Sequence, residues 1–165
     1  MSSSNNINLE RFKKNPQGLA DLVLLIEQAG PTQQKRLIGQ ILDVDSEFLF
    51  QALRRVIFFE ELVYLDEGVL AELLVQVNAK ILAYALYGLP KEFREKLLKL
   101  MAMKEQRAVA DEEEKLGEGT VAGSYVLGAQ RQVLKVARHL EITMGLSLDL
   151  NDCPRLRTKN LTPNW

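Results

Sequence analysis

The sequence predicts an all-α protein, and three observations carry this prediction. Apolar residues recur at helical spacing in one stretch after another. Capping residues, Gly and Pro separate those stretches. There is no hairpin dipeptide and no sustained apolar–polar alternation. About eight helices joined by short turns favour armadillo-like, right-angled helical repeats in a superhelix, followed by a C-terminal helical subdomain, over one long bundle.

The first third of the chain predicts a lead-in and three helices. Residues 1–17 are polar and rich in Ser and Asn, which predicts a disordered lead-in. Residues 18–55 are expected to form a helical repeat, because a first apolar stripe ends at Gly30-Pro31 and a second follows it. Asp45 is the predicted N-cap of the third helix. The two stripes are Leu19, Leu22, Val23 and Ile26, then Leu37, Ile38, Ile41 and Leu42.

Residues 56–65, VIFFEELVYL, form a dense apolar run that breaks the helical pattern. We interpret this run as an apolar hinge. A moving connection and a buried staple between helices both fit its composition. The residues at its start are Val56, Ile57, Phe58 and Phe59.

Residues 66–144 are expected to form the second helical domain. Asp66 and Asn78 are predicted N-caps, and Pro90 suits the start of a further helix. Residues 102–116 read as a helix that ends at Gly117, and a long last helix follows the loop 117–123. Residues 145–165 have no helical period and are interpreted as a tail.

Composition excludes several classes of protein. The 165 residues carry 21 Lys and Arg against 22 Asp and Glu, a net charge of −1, which argues against a nucleic-acid binder. The single cysteine allows no internal disulfide and fits a cytoplasmic protein. No apolar run reaches the roughly 18 residues of a membrane-spanning helix, so any membrane association is expected to go through partners.

Catalytic, cofactor and metal sites are not expected. His139 is the only histidine, and with one distant cysteine it provides neither a zinc site nor a credible Cys–His pair. The loop GEGTVAG lacks the Lys-Ser/Thr that follows a phosphate-binding loop. We therefore expect no cofactor and no enzymatic activity.

The stretch 104–116, KEQRAVADEEEKL, carries the densest charge in the chain. At about 100° per residue, five of its charges fall within a stripe of about 100°. The stripe runs from basic to acidic, an order that opposes the helix dipole by a few tenths of a kcal/mol per charge. A solvated face and a protein-contact face both remain compatible with it. The five are Lys104, Arg107, Asp111, Glu114 and Lys115.

Three blocks of residues follow the order and spacing of a known family. They are Glu60, Glu61, Leu62, Val63, Leu65 and Asp66; then Ala85, Leu86 and Gly88; then Phe93, Arg94, Glu95, Lys96 and Met101. In these blocks the chain resembles the C-terminal part of FliG, the motor switch family of the bacterial flagellar rotor. Residues 18–55 resemble the end of that family's middle domain, so the resemblance covers about 18–143.

The resemblance implies a non-catalytic rotor component in motility and chemotaxis, cytoplasmic and peripheral at the flagellar basal body. Its implied partners are other FliG-family chains, by self-association or stacking through the apolar stretches 48–63 and 69–86, the switch protein FliM and the stator protein MotA. The family's charged ridge places Lys104 at a basic position, with Arg107 beside it, and Asp111 with Glu112 at the acidic pair. A two-residue insertion would make Glu113 and Glu114 that pair instead.

Two departures support an alternative. Tyr87 and Ala122 stand where the family has basic residues. The ridge is therefore more acidic than is typical of the family. A divergent FliG-like adaptor or helical scaffold without a torque role is the alternative that these losses favour.

Overall fold

The computed structural model describes residues 7–117, 119–159 and 161–163. The parts of the lead-in, the loop and the tail predicted for residues 1–6, 118, 160 and 164–165 lie outside the described residues. In the described ranges the elements are nine α-helices and two 3-10 segments, Phe59–Tyr64 and Pro154–Arg157, with no strand. The helices are Leu9–Lys14 (α1), Gly18–Gln28 (α2), Pro31–Val44 (α3), Ser46–Leu53 (α4), Glu67–Gln76 (α5), Ala79–Ala85 (α6), Lys91–Leu98 (α7), Met103–Leu116 (α8) and Gly123–Met144 (α9).

The all-α prediction is confirmed, and the predicted caps explain where several helices begin. The Asp45 carboxylate accepts a hydrogen bond from the Phe48 N–H at 3.0 Å at the start of α4. The Asp66 carboxylate accepts from the Gly68 N–H at 2.9 Å at the start of α5. The Asn78 side chain does the same for the first turn of α6. Each side chain satisfies backbone N–H groups that lack a partner inside the helix.

The chain divides into two compact units. Unit 1 comprises the described residues up to Val56 together with those from Asp152 onward, and unit 2 comprises Ile57–Asn151. The division falls inside the segment 56–65, the predicted hinge. Unit 1 is therefore discontinuous in sequence, which the pattern of helices does not reveal.

The expected disordered lead-in is wrong for residues 9–14, which form α1. Leu9 is buried, and Lys13 forms an ion pair with Asp45. Gly18 permits the close approach of α1 and α2, because a Cβ atom there would lie 1.6 Å from the carbonyl oxygen of Phe12. Tertiary burial of one leucine and one tight glycine contact thus order a segment that composition alone predicts to be loose.

The tail also departs from its prediction between residues 152 and 163. Cys153, Arg155 and Leu161 are buried in this stretch. The 3-10 turn Pro154–Arg157 orders its first half. These residues form part of unit 1 and do not trail from it.

Unit 2 has one apolar core built around α6, which packs against both α8 and α9. Gln130 of α9 is buried, and its side-chain amide donates to the Ala85 carbonyl at the end of α6 at 3.1 Å. This bond satisfies a carbonyl that the helix itself leaves open. Among the described helices none is by itself both long and apolar enough to span a membrane, and α5 with α6 meet those criteria only as a pair bent by 116°.

Candidate functional site

Helix α8 carries the charged stretch singled out by the sequence. The Glu105 carboxylate accepts a hydrogen bond from the Ala102 N–H at 2.9 Å and so closes the first turn of the helix. Gln106 donates through its side-chain amide to the Met101 carbonyl at 2.9 Å. Val109 is fully buried in the core of unit 2 and anchors the middle of the helix. The inner face of α8 is thus fixed, which determines the residues that point outward.

Four charged residues of α8 form an exposed stripe: Lys104, Arg107, Asp111 and Glu114. Their spacing of three, four and three residues keeps them on one face of the helix. Within the described part of the chain, none of the four makes a side-chain hydrogen bond or ion pair, so the Arg107–Asp111 pair that their spacing permits is not formed. We call these four residues the α8 stripe.

Glu112 lies off the α8 stripe, about 120° from its centre, and forms an ion pair within its own helix. The Lys115 ammonium donates to the Glu112 carboxylate at 2.9 Å. This hydrogen bond is the main cause that raises the pKa of Lys115, and the charge of Asp111 adds to it. Of the acidic pair that the family pattern suggests, Asp111 is free to meet a partner and Glu112 is engaged locally.

Glu113 points to the other side of α8. It forms an ion pair with Arg94 of α7, and the two side chains are 28% and 30% exposed. The pair lines an open cleft of about 310 Å³ together with Tyr87 and Leu116. At about 100° per residue, Glu113 lies about 140° from the centre of the α8 stripe. Helical phase is therefore the signal in the sequence that separates Glu113 from Glu114.

Tyr87, one of the two departures that the resemblance indicates, fixes the loop before α9. Its hydroxyl donates to the Gly119 carbonyl at 2.8 Å. The same oxygen accepts from the Val121 N–H at 3.4 Å. Ala122, at the other departure, is exposed and forms the N-terminal boundary of α9. Sequence reasoning singles out Tyr87 as a departure from the family pattern, but it does not reveal this hydrogen bond across 32 residues.

The hinge residues are buried on both sides of the boundary between the units. Val56 is the last residue assigned to unit 1, whereas Ile57 and Phe59 belong to the core of unit 2. The Phe59 ring packs on Phe93 with centroids 5.8 Å apart, and Phe58 is half-buried. The predicted hinge is thus an apolar connection whose side chains are built into the units it joins.

Side chains that could ligate a metal ion do not cluster among the residues that the structure describes. Those residues contain no group of three or more His, Cys, Asp or Glu side chains that could hold a metal ion. His139 is exposed on α9. We take the exposed charges of α8 as the candidate functional site of unit 2.

Comparisons with known proteins identify the family. The family model for the FliG C-terminal domain matches residues 40–144. The flagellar motor switch protein FliG of Thermotoga maritima is 29% identical over 110 residues, covering 67% of this chain and 32% of the relative. FliG of Pseudomonas aeruginosa is 30% identical over 105 residues, covering 64% of this chain and 30% of the relative. This chain thus spans about a third of the length of these relatives.

Solved structures agree on the fold. A crystal structure of a FliG fragment from H. pylori aligns with a TM-score of 0.56 at 22% identity, covering 87% of this chain and 72% of that one. A shorter H. pylori fragment aligns with a TM-score of 0.52 at 24% identity, covering 76% and 55%. These alignments confirm the armadillo-like helical architecture. Since the family model matches well over half of its residues, the chain belongs to the FliG C-terminal domain family.

Proposed function

We propose that this chain is a non-catalytic FliG-like component of the flagellar rotor, and that the α8 stripe is its contact face for another protein. Membership of the FliG C-terminal family and the motor switch names of its relatives support the first part. A place at the cytoplasmic side of the basal body follows from the same reasoning, and FliM and other FliG-family chains are the rotor partners we propose.

One observation carries the second part. The four charges of the α8 stripe are exposed and make no ion pair in the described part of the chain, whereas Glu105, Glu112 and Glu113 on the same helix each have a partner. Charges that contribute little to the fold are available to a partner at low cost. The basic half presented by Lys104 and Arg107 suits acidic residues of that partner, and the acidic half suits basic ones.

The stator protein MotA is the partner that we propose for the α8 stripe. Exposed ion pairs contribute about 1 kcal/mol or less each, so a contact made of a few of them forms and breaks easily. Such a contact suits torque transfer, because exposed charges attract a partner transiently and release it without a deep energy minimum. It also predicts binding that weakens as salt is added.

Charge reversal tests this proposal directly. K104E and D111K each change an exposed charge that the fold does not use, so we expect both variants to fold normally and to bind MotA more weakly. The measurements are co-precipitation with MotA at low and high salt, and swimming of cells whose only FliG-type C-terminal domain carries the change. A charge-reversed MotA should restore binding to K104E.

K135E is the matched control. Lys135 is exposed on α9, so this change reverses another exposed charge, away from the α8 stripe. We expect it to bind and to swim like the wild type. Unchanged MotA binding and motility in both K104E and D111K would remove the stator role.

An adaptor without a torque role is the alternative that Tyr87 favours. Where the family pattern has a basic side chain, the Tyr87 hydroxyl forms hydrogen bonds with Gly119 and Val121 in the loop before α9. This arrangement favours a unit adapted for fixed contacts. This alternative predicts that the chain co-purifies with rotor proteins and not with MotA, and that Y87K together with A122R strengthens MotA binding. Absence of every rotor protein from the co-purified material would exclude both functions.

Self-association is a further contact that we propose. The apolar stretches 48–63 and 69–86, which the sequence favours for stacking, are largely buried in the chain's own units. Four large apolar side chains of unit 1 are instead exposed on α2 and α3: Leu24, Leu25, Leu42 and Val44. Sedimentation of the wild type and of a V44D variant would detect stacking through this unit, since the aspartate should shift the chain towards the monomer.

A further inference from the structure

The end of α4 is held by a residue about a hundred positions away in the chain. Arg155 is 9% exposed, and its Nη1 donates to the Leu53 carbonyl at 2.7 Å. Its Nη2 donates to the Val56 carbonyl, also at 2.7 Å. Leu53 is the last residue of α4, so its carbonyl has no partner within the helix. A guanidinium suits this place because it presents several N–H donors and its positive charge complements the helix C-terminus.

The segment that carries Arg155 is built to hold its shape. Arg155 also donates to the Leu161 carbonyl at 2.9 Å, which closes the segment on itself. The Thr158 hydroxyl donates to the Arg155 carbonyl at 2.8 Å and accepts from the Leu161 N–H at 3.2 Å. Cys153 is buried in the same segment. We call residues 152–159 and 161–163 the C-terminal strap.

The contact between Arg155 and Val56 lies at the point where the chain leaves unit 1. Val56 is the last residue of unit 1 before the chain enters unit 2, and the chain returns to unit 1 after Asn151. Within unit 1 the strap is tied to Val56 through Arg155, and within unit 2 the Asn151 N–H donates to the Tyr64 carbonyl at 2.7 Å. The two stretches of chain that pass between the units are thus hydrogen-bonded to each other twice, once within unit 1 and once within unit 2.

We infer that the C-terminal strap is a conformational restraint on the start of the hinge: Arg155 fixes the backbone of residues 53–56 through the carbonyls of Leu53 and Val56. Release of the strap frees the carbonyls of Leu53 and Val56 and loosens the backbone at the end of α4. The restraint involves residues of unit 1 alone and is independent of the α8 stripe, which belongs to unit 2.

Hydrogen exchange of the full chain tests the strap. The reporters are the backbone amides of Arg54, Arg55 and Val56, which donate to carbonyls of α4. In R155A we expect roughly tenfold faster exchange in peptides covering 50–60 and in the strap, because two buried carbonyls lose their charged donor. Peptides covering α8 should exchange as in the wild type.

Two further variants make the outcome decisive. R157A is the control, because Arg157 is an exposed neighbour whose partner is Asp152 on the surface, and it should leave exchange at 50–60 unchanged. R155K keeps the charge but cannot reproduce the two-armed contact, so its exchange should lie between those of the wild type and R155A. If R155A does not fold, R155K decides alone, with faster exchange at 50–60 and unchanged exchange in α8 as the supporting result.

Two results would overturn the inference. Unchanged exchange at 50–60 in a folded R155A or R155K would mean that Arg155 does not restrain the hinge. An equal increase in the peptides at 50–60, in the strap and in α8 would mean that Arg155 only contributes to global stability. Neither result would bear on MotA binding by the α8 stripe.

Discussion

Removal of the Glu113 carboxylate should destabilise unit 2, whereas removal of its neighbour Glu114 should not. Glu113 pairs with Arg94 and thereby joins α8 to α7, whereas Glu114 is exposed and belongs to the α8 stripe. The two residues are adjacent and chemically identical, so the comparison isolates the effect of position. E113A leaves a partly buried guanidinium without this partner, and E114A leaves nothing unpaired.

The degree of burial sets the size of the effect. A fully exposed pair contributes about 0.2–1 kcal/mol, and a hydrogen bond to a charged group in a protein interior about 1.5–3 kcal/mol. Arg94 and Glu113 are 30% and 28% exposed and line an open cleft, which places them between these limits. We therefore expect E113A to lower the free energy of unfolding by roughly 1–2 kcal/mol. E114A should stay within about 0.5 kcal/mol of the wild type.

Urea unfolding followed by circular dichroism measures both variants. With a typical slope for a domain of this size, E113A should lower the midpoint by about 0.5–1 M. The R94A/E113A double mutant should recover roughly 1 kcal/mol relative to the sum of the single changes, since the pair is then removed as a whole. Equal midpoints for E113A and E114A, or additive effects of R94A and E113A, would refute a structural role for the pair.

Three further predictions test single contacts. Y87F should cost about 0.5–1.5 kcal/mol and speed hydrogen exchange in the loop near Gly119, because the hydrogen bonds of the hydroxyl to Gly119 and Val121 are lost while the ring remains; an unchanged loop would contradict it. Gly18→Ala should lower the free energy of unfolding by about 1–3 kcal/mol, because the added methyl group would collide with the backbone of α1. A urea midpoint equal to that of the wild type would contradict this close approach of α1 and α2. The hydrogen bond from Lys13 lowers the pKa of Asp45, so its contribution to stability is present above the usual carboxyl pKa of about 3.9 and is lost as pH falls through the lowered value. D45N keeps the cap and should show less of this acid-induced loss in urea midpoints measured from pH 6 to pH 2; identical pH profiles would contradict the assignment.

The helices and their caps were predictable because local signals determine them. Asp45, Asp66 and Asn78 satisfy backbone groups two or three residues away, and the apolar stripes lie within single helices. Helix α1 and the strap were not predictable in this way. Leu9 is ordered by burial, and Arg155 is ordered by carbonyls about a hundred residues earlier. Contacts at such separations leave no period in the sequence.

The charged helix was identified from the sequence, but which of its acidic residues are exposed and which have partners within unit 2 was not. The family pattern predicts either Asp111 with Glu112 or Glu113 with Glu114 as the acidic pair. In the structure each of these pairs contains one exposed residue and one residue that has a partner. Asp111 and Glu114 are exposed, whereas Glu112 and Glu113 have partners within unit 2. Helical phase places Glu112 and Glu113 about 120° and about 140° from the centre of the α8 stripe. The partner of Glu113, Arg94 on α7, is revealed only by the packing of the two helices.

Fold stability accounts for some charges of α8 and leaves the α8 stripe unexplained. Glu105 in the first turn and Lys115 in the last have the signs that the helix dipole favours, and both are hydrogen-bonded. Lys104 and Asp111 lie in the opposite order along the helix and have no ion-pair partner in the described chain. Since the cost of that order is only a few tenths of a kcal/mol per charge, the correctly placed terminal charges offset it. The helix therefore tolerates a stripe that its own stability does not require. For this reason we expect charge reversal in the α8 stripe to change binding, whereas loss of the Glu113 carboxylate should change the free energy of unfolding.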